Sequence, residues 1–161
     1  MAENSHPDSH QNILVKTISE TWGRPVVVRK ILLLIRVFVL LAYLRLLLSC
    51  VTLQKILDWL TPSRHQPRSD SPHFSQVVRY TDALVRRIPL LGGSKCLLRA
   101  LALYYFATRG GFPVQLHCGV RRTGRELEGH AWLSFDGQPF FEKDKPDRIF
   151  TTTFSFPVPI K

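Results

Sequence analysis

Residues 96–107, CLLRALALYYFA, constrain the fold of this chain more than any other stretch. As a helix the segment is apolar on most faces, with Arg99 its one charge, so it must be covered on nearly every side. Such a helix belongs at the centre of a layered domain. Ser94 offers an N-cap before it, and Gly110-Gly111 a stop after it.

The layers that could cover it are legible on both sides. Upstream, Val77, Tyr80, Leu84 and Ile88 recur at helical spacing, and Pro89 ends that helix. Downstream, Val114, Leu116, Cys118 and Val120 alternate with Gln115, His117, Gly119 and Arg121, the pattern of a strand. After a Thr123-Gly124 turn, HAWLSF (130–135) and QPFFE (138–142) flank Asp136-Gly137, a strong hairpin signal. Helices followed by an antiparallel sheet make the class α+β.

The front of the chain reads differently. Residues 1–12 are polar, as in a disordered tail, and lack the basic start of a signal peptide. A helical region is expected over 13–60, interrupted at Gly23 and restarted at Pro25. Thr61-Pro62 opens a Pro- and Ser-rich linker over 61–75, and a separate domain follows over 76–161. Residues 31–53 are long enough to span a bilayer. Their apolar side chains favour insertion by roughly 7 kcal/mol, but Arg36 and Arg45 at about 3 kcal/mol each return most of it. A buried or membrane-surface helix is therefore expected ahead of a spanning one.

The formal charge of +10 is spread through both halves and favours acidic partners: a peptide, an anionic membrane surface or nucleic acid. No nucleic-acid recognition motif accompanies it. Three widely spaced cysteines, Cys50, Cys96 and Cys118, form no C-x-x-C pair. An odd number of free thiols fits a reducing, cytoplasmic compartment, and no metal-ligand spacing is present.

Chemistry points first to Cys96. At the start of the central helix a thiolate meets unpaired N–H groups and the positive end of the dipole. His130, opening a strand, is the matching base, its ring expected over the first turn of that helix. Glu142, Asp136 and Asp144 are the carboxylates able to orient it. A strict two-residue turn at Asp136-Gly137 would set His130 opposite Lys143. A three-residue loop from Phe135 to Gly137 would set it opposite Glu142, which is the register that favours Glu142. His117, Trp132 and Arg121 are candidates for substrate binding. Competing readings make His117 a surface residue, Trp132 packing beneath the base, and Arg121, Arg122 and Arg125 a solvated turn. Cys118 reads as packing.

The stretches CLLRALAL (96–103), RGGF (109–112), LHCGVRR (116–122) and GHAWLSFDGQP (129–139) together resemble the transglutaminase-like cysteine peptidases of lasso-peptide maturation. The resemblance covers about the last 90 residues closely. It implies a transglutaminase-like, papain-like core in which the Cys-bearing helix packs on an antiparallel sheet behind a helical N-terminal layer. By position it implies Cys96 as nucleophile, His130 as base and Glu142 where the family usually has Asp. It also implies removal of a leader from a ribosomally made precursor, without a cofactor. No leader-recognition module precedes the catalytic part, so a separate recognition protein and a lasso cyclase are implied partners. Rival readings are a non-catalytic, membrane-surface docking protein of a peptide-maturation complex, and amide transfer in place of hydrolysis.

Overall fold

The structure is a computed structural model and describes residues 8–62, 74–87, 94–142 and 144–157, with side chains from Val26 onward. Two compact units divide the chain, Met1–Arg36 and Val37–Lys161. Helix α1 runs from Asp8 to Cys50 as one element. It passes through Gly23 and Pro25, where the sequence suggests a break, and it begins within the expected tail. The interruption comes instead at Thr52, whose extended backbone (φ −68°, ψ 146°) starts α2, Leu53–Leu60. A single proline costs a helix about 3 kcal/mol, which a long apolar run can absorb. Residues Val26–Cys50 have the length and mean hydropathy (2.5) to cross a membrane.

In the unit from Val37 onward, α2 docks Ile56, Leu57 and Leu60 into the core. Its end is tied to the central helix by Arg109 Nη1 donating to Leu60 O (3.0 Å) and by the Thr61–Tyr104 hydroxyl pair (2.8 Å). Helix α3 spans Phe74–Arg87 and buries Phe74, Val77, Val78, Thr81 and Val85. Its buried face is rotated from the expected one: Tyr80 and Leu84 are only half-buried. The turn of Pro89, Gly92 and Gly93 lies outside the described residues, as does most of the 61–75 linker.

The central helix, α4, covers Lys95–Arg109 and buries Leu98, Tyr104 and every residue from Ala100 to Leu103. Ser94 occupies its N-cap without a side-chain cap bond, so the expected hydroxyl cap is not made. At the far end Gly111 takes φ 77°, while Phe112 N bonds Ala107 O and Gly111 N bonds Thr108 O. These paired bonds make a Schellman stop, which needs a residue tolerant of left-handed backbone at Gly111.

The sheet is antiparallel in the order β3-β2-β1-β4, built from β1 (Val114–Thr123), β2 (Glu126–Phe135), β3 (Gln138–Pro139) and β4 (Thr151–Phe156). A short helix α5, Pro146–Ile149, precedes β4. Neither α5 nor β4 is foreseen from sequence, although Thr and Phe in TTTFSF suit a strand. The α+β architecture with a Cys-bearing helix on an antiparallel sheet is the one observed.

Paired strand residues share a face. Leu116 with Leu133, and Cys118 with Ala131, form the face toward α4, where Tyr104 meets Phe156. His117 with Trp132, and Gly119 with His130, form the opposite face. Gly119 is there by necessity: a Cβ would come within 2.8 Å of Thr151 O and 2.9 Å of the Trp132 ring.

Candidate active site

Cys96 lies in the first turn of α4 and is half-buried. The first intrahelical bond runs from Leu98 N to Ser94 O (3.1 Å), so the N–H groups of Lys95, Cys96 and Leu97 precede it and lie at the positive end of the helix. Cys118 faces α4 from β1. Burial, with a smaller push from Cys96, raises its thiol to about 11, so it stays protonated at neutral pH. That leaves Cys118 a packing residue and a poor nucleophile.

His130 occupies the opposite set of β2 positions. Its ring stacks on Phe150 (5.1 Å between centroids) and, one step along the strand, on Trp132 (6.1 Å). Burial lowers its pKa, Arg99 and Arg121 lower it further, and Asp144 opposes them. The imidazole is therefore neutral at pH 7, the form a general base requires. No hydrogen bond joins it to Cys96 among the described residues, and it shares a cleft with Arg99 from the start of α4.

The hairpin register also departs from expectation. Ser134 pairs with Pro139 and Phe135 with Gln138, which leaves a two-residue turn. Asp136 (φ 49°) and Gly137 (φ 72°) both take left-handed backbone, as a type I′ turn demands. The expected three-residue loop assumed that Gly137 alone would do so, but Asp tolerates this region too. After Phe140 N bonds Leu133 O (2.8 Å), Phe141 turns to φ 54° and the ladder stops. The pairing of His130 with Glu142 is thus not formed, and among the described residues no strand pairs with the outer edge of β2 beside His130.

Glu142 is directed to Arg99 instead. Arg99 Nη1 donates to Glu142 Oε1 (2.5 Å), Nε to Asp82 Oδ1 (2.6 Å) and Nη2 to Phe141 O (2.8 Å). Burial works against the Arg99 charge, but the Asp82 bond and the two carboxylates outweigh it, and its pKa rises. Burial pushes the Glu142 carboxyl up, and Arg99 offsets this only in part.

A cleft of about 750 Å³ brings these groups together. Asp82 from α3, Arg99 from α4, Arg121 from β1, His130 from β2 and Glu142 with Asp144 from the following segment all line it. Its apolar walls include Val85, Phe141 and Phe150.

A family model described as the transglutaminase-like superfamily matches residues 37–155. The chain belongs to this superfamily. Comparison with curated proteins and with solved structures gave no match. Transglutaminase-like proteins include cysteine peptidases, and the matched span contains both Cys96 and His130.

The other sequence candidates are scattered. His117 is clamped by both ring nitrogens, to Ser155 Oγ (2.8 Å) and Ser134 Oγ (2.7 Å), and stacks on Trp132. Trp132, 2% exposed, packs between the two histidines. Arg121 lines the cleft, pairs with Glu128 (Nη2 to Oε2, 2.6 Å) and lies 5.0 Å above the Phe150 ring. Asp136 is a turn residue. Nothing in the sequence alone singles out Asp82 or Phe150, and Arg99 reads there only as the one charge within residues 96–107. Its spacing from Cys96, three residues on along the same helix face, was the available signal. Among the described residues no cluster suits a metal ion.

Proposed function

We propose that this transglutaminase-like chain is a cysteine peptidase that removes the leader of a ribosomally made precursor during lasso-peptide maturation, in a reducing cytoplasm. The observation that carries the reading is Cys96 at the start of the buried central helix, within a domain matched to the superfamily from residue 37 to 155. In this reading Cys96 Sγ attacks the scissile carbonyl and forms a thioester as the C–N bond breaks. His130 takes the thiol proton and passes it to the leaving amine. Water then attacks the thioester, losing a proton to His130, and Cys96 is released.

In this reading the His130 ring comes within hydrogen-bond reach of the Cys96 thiol for the proton transfer. Asp144, whose charge supports the imidazolium, is the better placed carboxylate to orient it, while Glu142 anchors Arg99. The precursor, a separate recognition protein and a lasso cyclase are the proposed partners, and the acyl-transfer chemistry needs no cofactor.

The test is reconstitution with a precursor and a recognition protein encoded beside this chain, read by mass spectrometry. Leader loss with the native chain and none with Cys96→Ala supports the reading. Full cleavage by Cys96→Ala overturns it. Transfer of an added amine to the cleaved acyl group, in place of hydrolysis, would favour the amide-transfer alternative.

A further inference from the structure

The apolar surface of α1 takes no part in the site above. Within residues 26–36 no side chain is buried, although most are large and apolar. From Val37 onward one stripe is covered: Val37, Leu41 and Leu44, at helical spacing, are each 0% exposed. The other side of the same turns is bare. Phe38, Val39, Tyr43 and Leu46 are 48%, 57%, 52% and 69% exposed.

The charges follow a simple rule around this helix. Taking Val37 as zero and about 100° per residue, Arg36 falls near 260° and Arg45 near 80°. Arg29, near 280°, and Lys30, near 20°, fall on the same half. The remaining arc, from roughly 100° to 240°, carries no charge between Val28 and Leu46 and runs for roughly 28 Å. Arg36 and Arg45 therefore border a bare apolar arc on its two sides, and the covered stripe lies directly opposite it.

A spanning helix needs every face apolar or protein-covered at mid-depth. Here the Val26–Cys50 stretch carries arginines on both flanks, and its Val37–Leu44 stripe is already under protein. We propose that α1 lies in the plane of an anionic lipid bilayer. The Val28–Leu46 arc sits in the acyl boundary, and Arg36 and Arg45 reach lipid phosphates on either side. An apolar face bordered by cations is what an interfacial helix requires, and the +10 net charge adds long-range attraction to anionic headgroups. A second copy is a poorer occupant, because pairing two such arcs brings two arginines together along each of the two rims. This inference rests on α1 alone and is independent of the peptidase reading.

Flotation of the full chain with vesicles tests it. We expect binding to phosphatidylcholine vesicles that contain phosphatidylglycerol, much weaker binding to phosphatidylcholine alone, and release of a large fraction by high salt. Val39→Glu with Leu46→Glu should lower the bound fraction at least tenfold with an unchanged circular dichroism spectrum. Arg36→Glu with Arg45→Glu should erase the preference for anionic vesicles. Failure to float, equal binding to neutral vesicles, or undiminished binding by the Val39/Leu46 variant would each overturn the proposal. So would carbonate-resistant insertion with one terminus protected from protease in sealed vesicles, which signals spanning. A stable dimer by ultracentrifugation without vesicle binding would assign the arc to a second copy instead.

Discussion

The two faces of the sheet were built for different ends. Toward α4, Leu116, Leu133 and Ala131 are buried against an aliphatic helix, and Cys118 joins them with a thiol that burial keeps protonated. On the other face His117 and His130 stand on either side of Trp132. His117 has both nitrogens committed to serines, whereas His130 makes only ring contacts among the described residues. A histidine whose hydrogen-bonding capacity is spent holds strands together, and one whose nitrogens are uncommitted can move protons. The same residue type, two positions apart across a strand pair, is thus structural in one place and, in the proposed function, chemical in the other.

The contrast is easiest to break at the thiols. Cys96→Ala should reduce cleavage to background with the melting temperature unchanged, while Cys118→Ala should keep most of the rate. Iodoacetamide should also reach Cys96 before Cys118; the reverse order would assign the chemistry to the wrong side of the helix–sheet interface.

At the histidines, His130→Ala should cost about 10²–10⁴-fold in kcat, the usual weight of a general base, with little change in stability. His117→Ala should do the opposite. It leaves the buried Ser134 hydroxyl unpaired, at about 1–3 kcal/mol of stability by denaturant titration, with kcat nearly intact. Similar kinetic losses in both variants would erase the distinction.

A smaller effect concerns Arg99. Arg99→Leu strands two carboxylates, Asp82 and Glu142, and should destabilise the chain by about 1–3 kcal/mol. It also removes a charge that lowers the His130 pKa.

The least effect, and the sharpest, is on the pH profile. His130 must be neutral to act, and its folded pKa lies below the unfolded value. The rate should therefore hold at neutral pH and fall as pH drops through that lowered pKa. The histidine's contribution to stability has the same sign: it is fully present above the unfolded pKa of about 6.5 and declines on acidification. Asp144→Asn removes the one charge that raises it, so the acid limb should move to lower pH, whereas Arg121→Gln should move it up. A limb that ignores both substitutions would mean that His130 is not the titrating base.

What the sequence disclosed, it disclosed through periodicity. Residues 96–107 announced a central helix because no other fold could cover so many apolar faces, and Asp136-Gly137 announced a hairpin. The register was hidden because two neighbouring residues both accept left-handed backbone, and one residue's difference turns Glu142 from His130 to Arg99. Strand β4 and helix α5 are short, and their pattern is too brief to read. The continuity of α1 through Gly23 and Pro25 could not be inferred from propensity, which marks both as breakers. The cleft residues Asp82, Arg99 and Asp144 lie in three separate segments, and only the fold gathers them.

Arg99 holds together parts of the chain that are 17 and 43 residues away. Loop closure of that span must be completed before its bonds give anything back. We expect the Arg99–Glu142 side of the cleft, which spans 43 residues, to close late in folding. Substitutions at Arg99 should speed unfolding far more than they slow refolding, so a chain caught before this step would carry its helices and sheet but no working site.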